Sequence, residues 1–244
     1  MNLIVDIGNT NAKLAVFQGD EIIHFETVDY ADVIATLGKY LVEFDITRSI
    51  LSNVGAKIEG LDVFLQNNFY HINLDSSTSL PIEINYDTPE TLGVDRMALA
   101  VASFYKSEGK NSLVIDMGSC ITYDFTTSKG EYQGGAISPG LNMRFKAMHN
   151  FTESLPLVSI RESQSIIGKN TEMSLVNGVV NGITAEIDSY IETLIKEFGD
   201  ISVFISGGDH RFFVNKLKNS IFADQKILLR GLNRILNYNF EKKK

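Results

Sequence analysis

The chain has 244 residues, a formal net charge of −8, 44% apolar residues and 21% charged residues. That acidic balance argues against a nucleic-acid or anionic-membrane surface, either of which needs clustered lysine and arginine. One cysteine excludes an internal disulfide, and the four histidines (His24, His71, His149 and His210) lack any paired metal-ligand spacing. No window approaches the roughly 20 apolar residues of a membrane helix, and Asp6 interrupts the first apolar stretch too early for a signal peptide. These features point to a cytoplasmic protein without nucleic-acid or membrane partners. The one basic run, Lys242-Lys243-Lys244, reads as a solvated tail. Neither G-x-x-x-x-G-K-[ST] nor G-x-G-x-x-G occurs, so P-loop and Rossmann readings lose their main support.

In chain order, residues 3–5, 12–17 and 21–28 read as strands of a meander, broken by Gly8-Asn9-Thr10 and Gln18-Gly19-Asp20. Helical spacing follows over residues 30–43, and residues 49–54 form another strand. Val94, Met97, Ala98, Val101 and Tyr105 make an apolar stripe that predicts a helix over residues 94–106. The polar run at residues 106–111 is the natural boundary between a first lobe of residues 1–109 and a second of residues 110–244. In the second lobe, residues 113–117, 121–126 and 130–134 are strands, and residues 134–140 form a glycine-bracketed loop. A long helix is expected over residues 172–198, capped by Asn170-Thr171. Gly178 and Gly182 each cost that helix about 1 kcal/mol relative to alanine, a spacing that suits close packing, including against a second subunit. Residues 201–205 form a strand ending in Ser206-Gly207-Gly208-Asp209.

One pattern occurs twice. Leu3-Ile4-Val5-Asp6-Ile7-Gly8-Asn9-Thr10 returns 110 residues later as Leu113-Val114-Ile115-Asp116-Met117-Gly118-Ser119-Cys120. Each copy is a buried-strand run that delivers a carboxylate into a tight turn, where glycine lets backbone N–H groups face a phosphate. Two such turns on duplicated halves suggest a nucleotide held in a cleft between similar lobes. In the first turn Asp6 can serve a magnesium ion, the Gly8–Thr10 backbone can bind phosphate oxygens, and Lys13 can supply positive charge. In the second, Asp116 beside a phosphate calls for a cation, and Ser119 can donate to phosphate. Cys120 has no adjacent histidine and reads as a packing residue. Asp95 and Arg96 open the helix at 94–106. The guanidinium can grip a carboxylate, and Asp95 can accept a hydroxyl proton. Ser206-Gly207-Gly208 can let an adenine ring lie on bare backbone.

Six segments in order, Asp6-x-Gly8-Asn9-Thr10, Gly93-Val94-Asp95-Arg96, Asp116-x-Gly118-Ser119, Gly134-Gly135-x-Ile137-x-Pro139-Gly140, Gly168-Lys169-Asn170-Thr171 and Ser206-Gly207-Gly208, resemble the type III pantothenate kinases over nearly the whole chain. The resemblance implies an α/β fold of two duplicated lobes of the ribonuclease H-like, actin-like ATPase type, with mixed sheets flanked by helices. It implies ATP-dependent phosphorylation of the primary hydroxyl of pantothenate, the entry step to coenzyme A. By the same resemblance Asp6, Gly8, Asn9, Thr10, Lys13, Ser119, Gly207 and Gly208 bind ATP. Asp95 is the proton acceptor, and Tyr86, Gly93, Val94, Arg96 and Thr171 line the pantothenate site. Asp116 holds a monovalent cation, K⁺ or NH₄⁺, with Mg²⁺ near Asp6. The site lies at a homodimer interface, with Thr171 serving the partner's pocket. The family commonly has Gly-Thr-Ala where this chain has Gly118-Ser119-Cys120. Two alternatives stay open from the residues alone: another small-molecule kinase of the same superfamily, and a nucleotide-binding regulatory protein.

Overall fold

The computed structural model describes residues 1–162 and 165–242; the last two lysines of the basic run lie outside the described residues. The chain begins β1 (Asn2–Ile7), β2 (Ala12–Gln18), β3 (Glu21–Val28), α1 (Val33–Glu43), β4 (Arg48–Asn53), α2 (Leu61–Asn68), β5 (Tyr70–Asn73), β6 (Glu83–Ile84) and α3 (Val94–Lys106). It continues β7 (Asn111–Met117), β8 (Cys120–Thr126), β9 (Glu131–Pro139), α4 (Leu141–Asn150), α5 (Thr171–Phe198), β10 (Ile201–Ser206), α6 (His210–Phe213), β11 (Phe222–Ala223) and α7 (Ile227–Glu241). Two compact units result. The first comprises residues 1–106, 130–133 and 226–244, and the second residues 107–129 and 134–225.

The first unit is built on a mixed sheet in the order β3-β2-β1-β4-β5, antiparallel across β1–β2–β3 and parallel across β1–β4–β5. Because side chains alternate along a strand, Leu3, Val5 and Ile7 face α1 and α2, where they pack with Val33, Leu37, Leu61 and Leu65. Ile4, Ala15, Phe17 and Ile50 face the other way, against Ala98 and Val101 of α3 and Leu229, Leu232, Ile235 and Leu236 of α7. Each such aliphatic side chain contributes on the order of 1.5–3 kcal/mol by leaving water. Gly231 lets α7 lie close to α3, since a Cβ there would strike the Ala98 carbonyl. β6 pairs in parallel with Glu131 and Tyr132 at the start of β9.

The second unit holds β7, β8, β10, β11 and the rest of β9. β7 is antiparallel to β8 and parallel to β10, and β10 is parallel to β11. Leu113, Ile115, Met117, Ile121 and Tyr123 face α5, whose Val176, Val180, Ile183 and Ile187 complete the core. Asn170 caps α5 by accepting from Met173 N at 2.8 Å.

Two sequence expectations change. The glycine-bracketed segment at 134–140 is a strand that feeds α4 and not a loop. Gly135 is there because β9 presses on β8, and a Cβ at that position would collide with the Tyr123 carbonyl. Residues 227–241, read from sequence as part of the second lobe, form α7 and belong to the first unit.

Candidate active site

Alternation and register build the first half of the site. Asp6 shares its face of β1 with Ile4, the face that carries α3 and α7. β2 brings Lys13 and β4 brings Ser52 opposite Asp6 on that same face. Asp6 is only 2% exposed. The Ser52 hydroxyl donates to its Oδ1 at 3.1 Å, and the Lys13 ammonium lies 3.6 Å from its Oδ2. Burial pushes the Asp6 carboxyl above its ordinary range. Lys13 and Ser52 pull it back, and the Asp95 carboxylate adds repulsion that raises it again. Asp6 and Asp95 therefore feel each other electrostatically inside one unit. Beyond Asp6 the chain turns at Gly8, whose N–H donates to Asn11 O at 3.1 Å, and Asn9 and Thr10 are exposed.

Asp95 stands in the first turn of α3, and Arg96 N donates to its Oδ1 at 2.9 Å. A carboxylate keeps its second oxygen for another proton donor. A Cβ at Gly93 would lie 2.6 Å from that Oδ1, so glycine is what allows the carboxylate to fold back over the helix start. Arg96 is buried at 5% exposure, with its guanidinium carbon 6.0 Å from the centre of the Tyr86 ring. Tyr86 packs beside the cluster of Leu92, Met97, Ala100 and Tyr132. Tyr86, Gly93, Val94, Asp95 and Arg96 are thus one local group. A guanidinium held out of water beside an aromatic ring is suited to a planar anion such as a carboxylate.

In the second unit Asp116 is half-buried at the end of β7, in register with Thr122 of β8 and Ser206 of β10. Gly118 N donates to Cys120 O at 2.9 Å, and Ser119 is exposed at the tip. Two glycines support this turn from behind. Gly140 packs on the carbonyls of Gly118 and Ser119, and Gly207, at φ 90°, packs on the backbone of Met117. Asp209 N donates to Met117 O at 3.1 Å, and His210 Nδ1 donates to Gly207 O. Gly207 is therefore required by strand packing, whereas a Cβ at Gly208 would meet nothing within 4 Å. Gly208 is the open backbone of the pair. Thr171 stands at the start of α5. It borders a cavity of about 370 Å³ with Arg144, Met148, Leu155, Ser174 and Leu175.

The donor sets suit hard cations. Among the described residues no three histidine, cysteine, aspartate or glutamate side chains cluster. Near Asp116, the Thr122 Oγ1 is buried and makes no hydrogen bond among the described residues. With the carboxylate in register beside it, this orphaned oxygen suits a monovalent cation.

Sequence reasoning missed Ser52. The strand carrying it was legible, but its parallel pairing with β1 was not, and only that pairing puts Ser52 on Asp6. It also missed Arg144, which holds the Pro139 carbonyl and the Ser138 hydroxyl at 2.8 Å each and the Glu186 carboxylate at 2.6 Å.

The family model of type III pantothenate kinases matches residues 2–193. A type III pantothenate kinase of Bacteroides fragilis is 46% identical over 98% of this chain and 98% of its own length. Another, from Christiangramia forsetii, is 42% identical over 98% and 99%. Among solved structures, a ROK family glucokinase from Streptomyces griseus in complex with glucose and AMPPNP has a TM-score of 0.54 at 12% identity. It covers 97% of this chain and 98% of its own, a likeness of fold. Matched over most of its length by that family model and by relatives above 40% identity, the chain belongs to the type III pantothenate kinase family.

Proposed function

We propose a division of labour for the pantothenate phosphorylation that this family performs, in which the first unit carries the reacting groups. The observation behind it is that Asp6, Lys13, Ser52 and Asp95 converge within one unit, two of them by strand register alone. Asp6 and the Gly8–Thr10 turn take the phosphate end of ATP, with Lys13 adding positive charge. Mg²⁺, when bound near Asp6, neutralises phosphate charge. Arg96, stacked near Tyr86, pairs with the pantothenate carboxylate. The primary hydroxyl oxygen of pantothenate forms its bond to the γ-phosphorus as the bond to the β–γ bridging oxygen breaks. Its proton passes to Asp95, and ADP leaves. Ser119 and the open Gly208 backbone serve ATP in the second unit, while Asp116 and Thr122 hold K⁺ or NH₄⁺.

The protein acts as a homodimer on this reading. Gly178 and Gly182 are exposed on α5, and a Cβ at Gly178 would meet nothing among the described residues within 4 Å. Exposed Phe151, Ile166 and Ile167 belong to the same unit, and Thr171 serves the partner's pantothenate. A cytoplasmic location fits a chain with one cysteine, in which no helix among the described residues is long and apolar enough to cross a membrane.

The test is ADP release with ATP, Mg²⁺ and K⁺, with and without pantothenate, with D-glucose and acetate as comparison acceptors. Turnover that depends on pantothenate and falls when Na⁺ replaces K⁺ is expected. Protein that binds ATP without any stimulation by pantothenate would sink the substrate assignment.

A further inference from the structure

The turn after β1 is held from behind by two residues that the reaction does not use. The Tyr30 hydroxyl donates to the Gly8 carbonyl oxygen. The α-carbon of Gly55 lies against the same carbonyl. A Cβ there would collide with that oxygen and would also stand 3.0 Å from the Tyr30 hydroxyl. Gly55 is not among the glycines at positive φ, so its small size is what the site needs. Local structure brings both residues to this point. The β1–β4 ladder runs on past the strands, with Val54 N donating to Ile7 O at 3.0 Å, and Gly55 N is held by Asn53 Oδ1 at 3.0 Å. Tyr30 opens a short 3-10 turn at the end of β3.

The consequence follows from peptide geometry. The peptide is planar and trans, so the Asn9 N–H points away from the Gly8 carbonyl. Pinning the carbonyl against Tyr30 and Gly55 therefore aims the Asn9 N–H to the opposite side. A glycine peptide rotates with little steric hindrance, and an unpinned Gly8 would present that N–H only part of the time. A donor fixed before the ligand arrives needs no reorganisation on binding.

We propose that Tyr30 and Gly55 are positioning residues that lock the Gly8–Asn9 peptide with its N–H presented to the ATP phosphates. The proposal rests on the reading of the first turn as the phosphate site. The residues act through backbone direction alone, so their effect falls on ATP and spares pantothenate.

Steady-state kinetics of Tyr30→Phe test this. The expected result is a KM for ATP raised about tenfold, equivalent to about 1.4 kcal/mol. The KM for pantothenate stays within about twofold and the thermal midpoint moves by no more than about 3 °C. Gly55→Ala, which pushes the carbonyl out directly, should raise the KM for ATP further; if it fails to fold, Tyr30→Phe alone decides. An unchanged KM for ATP in folded Tyr30→Phe, or both KM values rising together with a lower midpoint, overturns the proposal. Asp6→Asn and Thr10→Ala, assayed for ATP binding alongside, separate two kinds of failure. If they weaken ATP and Tyr30→Phe does not, the positioning role alone is wrong. If none of the three weakens ATP, the first-turn reading is wrong and the proposal goes with it.

Discussion

The hairpins after β1 and β7 share a strand, an aspartate and a glycine, yet they differ in length by one residue. Ile7 pairs with Ala12, whereas Met117 pairs with Ile121. The shorter turn shifts everything after it by one position. Opposite Asp6 the returning strand places Lys13, and opposite Asp116 it places Thr122. The residue opposite the aspartate is thus an ammonium in the first hairpin and a hydroxyl in the second. The first aspartate has a cation built into the chain, 3.6 Å away. The second has a half-buried carboxylate in register with Thr122, whose buried hydroxyl makes no hydrogen bond among the described residues; on the proposed reading this is where a dissolved cation binds. The supports differ too. The first turn leans on a tyrosine and a glycine, while past the second turn Arg144 and Glu186, paired with each other, hold Ser138 of β9 and Tyr123 of β8.

The comparison breaks most visibly at the reacting groups. Asp95→Asn should lower turnover at least about 10²-fold with ATP binding near wild type, whatever monovalent salt is present. Asp116→Asn should instead abolish the difference between K⁺ and Na⁺. Turnover near wild type in Asp95→Asn would remove the base from the first unit. Next comes the built-in cation. Lys13→Met should raise the KM for ATP by about tenfold, roughly 1.4 kcal/mol, and no potassium concentration should restore it. The converse change, Thr122→Lys, gives the second turn its own ammonium. Activity in that variant should become indifferent to K⁺, and an unchanged potassium requirement would show that the two turns are not electrostatic counterparts.

The smallest effect concerns the ionic support. Burial raises the Glu186 carboxyl, but hydrogen bonds from Arg144, Tyr123 and Ser138 outweigh it and hold the pKa below its ordinary 4.5. A carboxylate with a lowered folded-state pKa stabilises the protein above its unfolded value, and that gain disappears as pH falls through the folded one. Glu186→Gln should therefore destabilise by about 1–3 kcal/mol at neutral pH. The gap from wild type should close below pH 4.5. Denaturant melts at several pH values check this, and a gap that stays constant with pH would mean that charge plays no part. Tyr30→Phe, whose support is uncharged, should show no comparable pH dependence.

The duplicated strand-and-turn pattern was legible because it needs only local rules: a buried apolar run, an acid and a glycine. α3 and α5 were equally plain from their apolar stripes, and α3 has the expected limits. What could not be read was pairing across distance. Nothing local in the stretch around Ser52 says that it faces Asp6, since the parallel partner of β4 lies more than 40 residues earlier. Gly135 carries the opposite lesson. A glycine pair suggested a bend, but the absent side chain was making room for Tyr123. α7 was missed although Ile227, Leu232, Ile235 and Leu236 keep helical spacing, because its start lacks a side-chain cap. The burial of Arg96 beside Tyr86 was not legible either, because it depends on packing between segments ten residues apart.

The return of α7 to the first unit also has a consequence for synthesis. Ile4, Ala15, Phe17 and Ile50 emerge early from the ribosome, while the leucines and isoleucines that cover them are made about 180 residues after Ile50. α3 is made sooner and can cover part of that sheet face, but at translation speeds of about 5–20 residues per second the rest waits on the order of ten seconds or more. Throughout that interval the nascent chain exposes an aliphatic surface suited to a holdase chaperone. Truncation before Ile227 would make the exposure permanent.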